Sequence, residues 1–215
     1  MRFGAATPGD NGEMTTTARV TELRSYPVKS MDGSALTGAE VAATGLSGDR
    51  AWSVVDADGQ VVSARQAPRL RDVRVTLGLD GPVLDVPGVA SGVAGPDADA
   101  ALSSYVGSPV HLAPAQGSLQ EVAAVHLVSR QAVAAAIGTT SDDPACDIEA
   151  PRANLTLDLG ADPPVGLERA WVGRDLVIGE VVLRVNQVPK HCLGVYADVV
   201  TPGRINLGDA VQPRG

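Results

Sequence analysis

The feature that most constrains this chain is a succession of short valine-rich runs, each cut off by Gly, Pro or Asp. Segments 19–26, 51–55, 61–64, 73–77, 83–86, 155–159, 180–188, 195–200 and 205–211 have the alternation or β-branched content of strands. Asp56-Ala57-Asp58-Gly59 and Asp80-Gly81 sit between such runs and carry the turn chemistry of hairpins. The expected fold is therefore mainly β and largely antiparallel, with a few short helices. One helix is expected over 96–105, started by Pro96-Asp97 and stopped by Gly107. A second is expected over 130–137, with Ser129 as N-cap and Gly138 as stop. Segment 87–101 is small, polar and Gly-rich, and its pattern is that of a surface excursion. Segment 112–120 is rich in Pro, Gly and Ser and marks a joint. The pattern predicts a disordered tail over 1–17 and two closely packed subdomains that meet at this joint.

A chain of 215 residues with 44% hydrophobic content can build a core without disulfides or structural metals. Aromatic residues make up 3%, so Val, Ala and Leu must fill that core, and the one Phe, Phe3, falls in the tail. A net charge of −8 argues against nucleic acid as a partner, because that binding needs a basic stripe to displace counterions. No apolar run is long enough to span a bilayer, and the first residues lack a signal-peptide core. Membranes are not expected partners. The two cysteines, Cys146 and Cys192, do not make a disulfide framework, which points to a reducing, cytoplasmic setting.

Candidate chemistry gathers at a few positions. The chain has two lysines, Lys29 and Lys190, each just past the end of an expected strand. They suit an anionic ligand such as phosphate, or they are what an arginine-biased composition leaves behind. Cys192 follows Lys190 and His191, whose positive charge would favour the thiolate, a metal ligand and nucleophile. A buried structural cysteine is the alternative. Cys146 has the acidic neighbours Asp143 and Asp147, which disfavour the thiolate. Arg152 and Asn154 open a strand on one face, offering a guanidinium fork and an amide to a phosphate or pterin edge, or simply forming an exposed edge. Ser129 either caps its helix or receives a ligand phosphate at that helix start. His126 has the setting of a core or hinge histidine. The histidines and cysteines show no zinc-binding spacing, and no nucleophile elbow or phosphate loop occurs.

These residues resemble those of the MOSC family. In the N-terminal half the resemblance lies in Tyr26-Pro27-Val28-Lys29-Ser30, Gly48-Asp49-Arg50-Ala51-Trp52 and Ala67-Pro68-Arg69-Leu70. In the C-terminal half it lies in Pro151-Arg152-Ala153-Asn154, Glu168-Arg169-Ala170-Trp171, Cys192, Gly194-Val195-Tyr196 and the closing Pro202-Gly203-Arg204 through Asp209. The resemblance implies a MOSC N-terminal β-barrel domain over 18–115 and a MOSC domain over 116–215. It further implies a molybdenum–molybdopterin cofactor in the cleft between them, with Cys192 as metal ligand and catalytic residue. Lys29, Ser30 and Arg50 would bind the cofactor from one side, and Ser129, Arg152, Asn154 and Tyr196 from the other. Two departures stand out. Lys190-His191 replaces the usual Ser-Arg pair before the cysteine, and the segment between Cys192 and Gly194-Val195-Tyr196 is shortened. Lys190 is expected to restore the missing positive charge beside the cofactor, with His191 next to it.

The implied activity is a molybdenum-dependent oxidoreductase that reduces N-hydroxylated or N-oxide compounds. No iron–sulfur cysteine set or flavin motif is present, so electrons would come from an external electron-transfer protein or reductase. The alternatives are a sulfur carrier that holds a persulfide on Cys192 and a cofactor-binding module without turnover.

Overall fold

The computed structural model describes residues 18–115, 123–138, 151–161 and 163–215. The expected tail, Phe3, Cys146 and most of the expected joint lie outside the described residues. The first half runs β1 (Ala18–Ser25), β2 (Ser34–Leu36), β3 (Gly38–Ala42), β4 (Gly45–Leu46), β5 (Trp52–Asp56), β6 (Arg74–Gly78), β7 (Gly81–Val86), β8 (Ala90–Ala94), α1 (Gly95–Val106) and β9 (Val110–Pro114). The second half runs β10 (Val125–Ser129), α2 (Arg130–Ala135), β11 (Leu155–Asp158), β12 (Asp175–Ile178), β13 (Val181–Gln187), β14 (Val195–Thr201), β15 (Gly203–Asn206) and β16 (Ala210–Arg214). The protein is mainly β, as its alternating runs predict.

Seven strands close into a barrel in the order β11, β10, β14, β13, β12, β16, β1 and back to β11. Closure leaves no unpaired edge among these strands. Their period-two pattern puts Val181, Leu183 and Val185 of β13 inside at 0% exposure, while Arg184 and Asn186 face out. Leu127, Leu155, Leu157, Leu176 and Ile178 complete the aliphatic interior. The β10–β11 pair is parallel, against the antiparallel expectation. A second core forms where α1 lays Ala98, Leu102 and Tyr105 against the β6–β7–β8 sheet and the β5–β9 ribbon.

The two cores do not divide the chain in sequence order. β1 pairs with β11 and β16, and β3 pairs with β15, so the barrel lobe draws strands from both ends of the chain. The stretch 26–33 then passes from the barrel into the second core, where Val28 and Met31 are fully buried.

Several local expectations need correction. The run 61–64 does not form a hairpin arm; Val61 makes one bridge to Val55, and β5 takes its ladder from β9 instead. The cause is local: Asp56 Oδ1 accepts from the N–H groups of Asp58 and Gln60, and a turn bonded through Ser63 follows at once. Within the expected excursion, Ala90–Ala94 is the third strand of the β6–β7–β8 sheet. The run 205–211 is two strands, broken at Leu207-Gly208-Asp209, where Gly208 has φ +91°. Ser129 does cap α2, its Oγ accepting from Ala132 N–H at 3.0 Å.

Candidate functional site

The site is built where residues 26–30 run alongside 50–52. Val28 and Trp52 form a parallel bridge, flanked by bonds from Arg50 N to Tyr26 O at 2.8 Å and from Lys29 N to Trp52 O at 2.9 Å. This pairing puts Arg50 against Tyr26 and carries Lys29 past Trp52. Ser30 (φ 72°) and Arg50 (φ 52°) both have left-handed backbones, which cost a non-glycine residue about 1 kcal/mol or more each. The surrounding bonds impose them. Asp49, buried, accepts from Tyr26 N at 2.6 Å and pairs with the Arg50 guanidinium. Ser30 Oγ accepts from Ala64 N at 3.0 Å, which leaves its own O–H proton to donate elsewhere.

Tyr26 is the hub that joins this strip to the barrel. Its hydroxyl donates to Ala153 O at 3.2 Å, and its ring carries three guanidinium groups. Arg152 lies 4.8 Å from the ring centroid, Arg50 5.4 Å and Arg24 5.9 Å. Burial raises the Tyr26 pKa above that of an ordinary phenol although Arg24, Arg152 and Arg50 pull the other way, so the hydroxyl stays a neutral donor. Arg24 is tied to Asp32 at 3.0 Å, and Arg50 is tied to Asp49. Arg152 is different: its Nε is sealed from solvent with no hydrogen-bond partner among the described residues. Burial first, and repulsion from Arg50 second, push its pKa down to about 10, so it remains a cation at neutral pH. Three clustered cations against two carboxylates, one of them with an unused buried donor, favour an anion. A groove of about 540 Å³ lies against Arg24, Tyr26, Arg130 and Arg152, with Val133 and Ile137 as its apolar wall.

Asn154 and Ser129, both expected to face a ligand, are turned inward. Residues 151–154 precede the strand rather than lying on it, and alternation does not hold them on one face. Asn154 Oδ1 accepts from His126 N at 3.1 Å and its Nδ2 donates to Arg24 O at 3.3 Å, so the amide stitches β10 to β1. The Ser129 hydroxyl donates to Glu168 Oε1 at 2.9 Å while capping α2. Glu168 is fully buried and its Oε2 has no partner among the described residues.

His126 continues the band towards the cysteine. Its Nε2 lies 2.8 Å from Leu193 O, and its ring is 4.8 Å from that of Tyr196, its cross-strand partner. Burial, reinforced by Arg50, pushes its pKa down to about 4 against backbone hydrogen bonds to Leu193 and Arg152. The ring is neutral at pH 7. Cys192 is half-buried at the end of the 188–194 loop, where Lys190 and His191 are exposed. Cys192 is disulfide-bonded, so its sulfur is not a thiolate in this state. Among the described residues no helix is long and apolar enough to cross a membrane.

The structure brings Arg50 and Arg152 together on the Tyr26 ring, and Tyr196 onto His126, whose ring reaches the Cys192 loop; Lys29 and Ser30 lie on the strip that follows Tyr26, with Ser30 turned to Ala64. It leaves Lys190 and His191 on the outer side of that loop. Sequence reasoning passed over Tyr26, Arg24 and His126 as site residues. Tyr26 opens the Tyr-Pro-Val-Lys-Ser motif, and that position was its one available signal.

Residues 17–108 match the model of the MOSC N-terminal beta barrel domain. Over 88 residues the chain is 40% identical to mitochondrial amidoxime reducing component 2 of Bos taurus, covering 39% of this chain and 26% of that protein. Over 69 residues it is 46% identical to mitochondrial amidoxime-reducing component 1 of Homo sapiens, covering 30% of this chain and 20% of that protein. The matches therefore span about a quarter or less of these relatives' length. Among solved structures, the YuaD protein of Bacillus subtilis aligns with a TM-score of 0.46 at 13% identity, covering 91% of this chain and 94% of that one.

Proposed function

From the premise that the chain belongs to the MOSC family, through its N-terminal beta barrel domain, we propose that it binds a molybdenum–molybdopterin cofactor. On this reading it is an oxidoreductase acting on N-hydroxylated or N-oxide compounds, with electrons drawn from a separate protein. The observation that carries the proposal is the Arg50–Tyr26–Arg152 cluster. It has a buried donor without a partner among the described residues, and a path through His126 leads from it to the Cys192 loop. The names of the relatives, amidoxime reducing components, supply the substrate class.

The residues fit the anionic end of such a group. Arg152 and Arg50 would hold the phosphate with charge-assisted bonds, Lys29 would add a point charge, and Ser30 would donate its free proton. Tyr196 would border the pterin side. Cys192 would supply the sulfur ligand to the metal once its disulfide is reduced. Asn154 and Ser129 would act from behind, keeping β10, β1 and α2 in register rather than touching the group. When bound, the cofactor supplies the two-electron chemistry at its metal, and the protein supplies placement and electrostatics. The cation cluster would hold that group without titrating near neutral pH, because Arg152 stays protonated well above it.

Molybdenum and pterin content, measured after expression in a host that makes the cofactor, tests the proposal. The wild type should retain both. Cys192→Ser should lose molybdenum preferentially, and Arg152→Leu should weaken retention of the whole group about tenfold or more, as expected for a lost charge-assisted bond. Equal molybdenum in all three proteins would sink the assignment. Cyanide-labile sulfur on a metal-free protein would instead make the chain a sulfur carrier with a Cys192 persulfide.

A further inference from the structure

We infer that His126 is a positioning residue, whose imidazole fastens the Cys192 loop to the barrel and so sets where the Cys192 sulfur sits. The loop 188–194 spans from the end of β13 to the start of β14, with Val188, Lys190 and His191 exposed and Cys192 and Leu193 half-buried. Two contacts pin its last turn. The Leu193 carbonyl lies 2.8 Å from His126 Nε2, and Gly194, at φ +83°, presses so closely on β10 that a Cβ there would fall 2.0 Å from Leu127 O. The residue after Cys192 is thus tied by a side chain, and the next one by steric contact.

The imidazole is itself held on several sides. Its backbone pairs with Asn154, its face meets Tyr196, and a second hydrogen bond runs to the Arg152 backbone. That second bond favours the protonated ring, so its acceptor is a carbonyl. A neutral imidazole has one N–H and serves one carbonyl at a time. The charged group facing it, Arg50, opposes protonation. The proton on the ring therefore chooses between the Cys192 loop and the Arg152 segment, and the 2.8 Å contact at Nε2 marks the loop as its partner. His126 in this way ties the loop bearing the sulfur to β10 of the barrel. The inference stands on loop geometry and its test needs no cofactor, so it can fail or survive independently of the molybdenum reading.

The test is the alkylation rate of Cys192 by iodoacetamide in reduced protein carrying Cys146→Ser, where one thiol reports. His126→Gln places an amide donor near the Nε2 position, whereas His126→Asn is too short to reach Leu193 O. The Gln variant should react within about twofold of the parent. The Asn variant should differ by about fivefold or more, the population change that accompanies loss of one net hydrogen bond. Far-UV circular dichroism and Tm should match between the two variants. Equal rates for Gln, Asn and parent would overturn the inference. So would equal shifts for both variants accompanied by equal loss of Tm, which would reduce His126 to a core-packing residue.

Discussion

His126 makes the fold sensitive to acid in a defined direction. Its folded pKa of about 4 lies below the ordinary histidine value of 6.5, so between those values the unfolded chain binds more protons than the folded one. Stability should be full above pH 6.5 and fall as pH drops towards 4, by about 3 kcal/mol in all. Urea denaturation at pH 7 and pH 4 should show this loss in the wild type, and His126→Gln should remove that share of it. A pH dependence unchanged in the variant would contradict the assignment. His126 was legible as a hinge candidate from its place in a valine run, but its partners Leu193 and Arg152 were not. They come from segments 67 and 26 positions away in the chain, and no local pattern encodes such contacts.

The α2 start shows what can be read locally and what cannot. Ser129 before a helical run announces an N-cap, and the cap is there. The same hydroxyl donating to a fully buried Glu168 carboxylate could not be read, because that contact joins β10 to a short 3-10 turn, Leu167–Trp171. Ser129→Ala should therefore cost more than a cap alone: about 1 kcal/mol for the cap plus about 1 kcal/mol for the lost hydroxyl bond to Glu168, whose Oε1 keeps the Ser129 N–H at 3.4 Å. Chemical denaturation measures the sum, and a loss under about 1 kcal/mol would show that Glu168 finds another donor. Hairpins followed the same division. Asp80-Gly81 specified the β6–β7 turn, whereas the turn bonds of Asp56 and Ser63 left 61–64 with one bridge and β5 paired with β9, a strand distant in sequence.

At the scale of the molecule, two cores and the β-rich class were visible in turn spacing and alternation, but their assembly was not. Alternation marks which residues face inward and is silent on which strand lies beside which. The barrel core should be intolerant of truncation: Leu157→Ala removes a fully buried side chain facing the strands around it and should cost about 2–5 kcal/mol. A fragment of residues 116–215 should stay unfolded by circular dichroism, because β1 is missing between β11 and β16. Adding 18–115 in trans should restore strand signal. Independent folding of the later fragment would show that six strands can close without β1.

The seam between β1 and β16 also sets a timetable. Ala18 lies opposite Val211, so this pairing is the last that β1 can make during synthesis, after those with β2 and β11. Contacts of such long range form slowly. Nascent chains stalled between β11 and β16 thus hold a barrel with one seam still open, and its exposed edges are where wrong partners can pair.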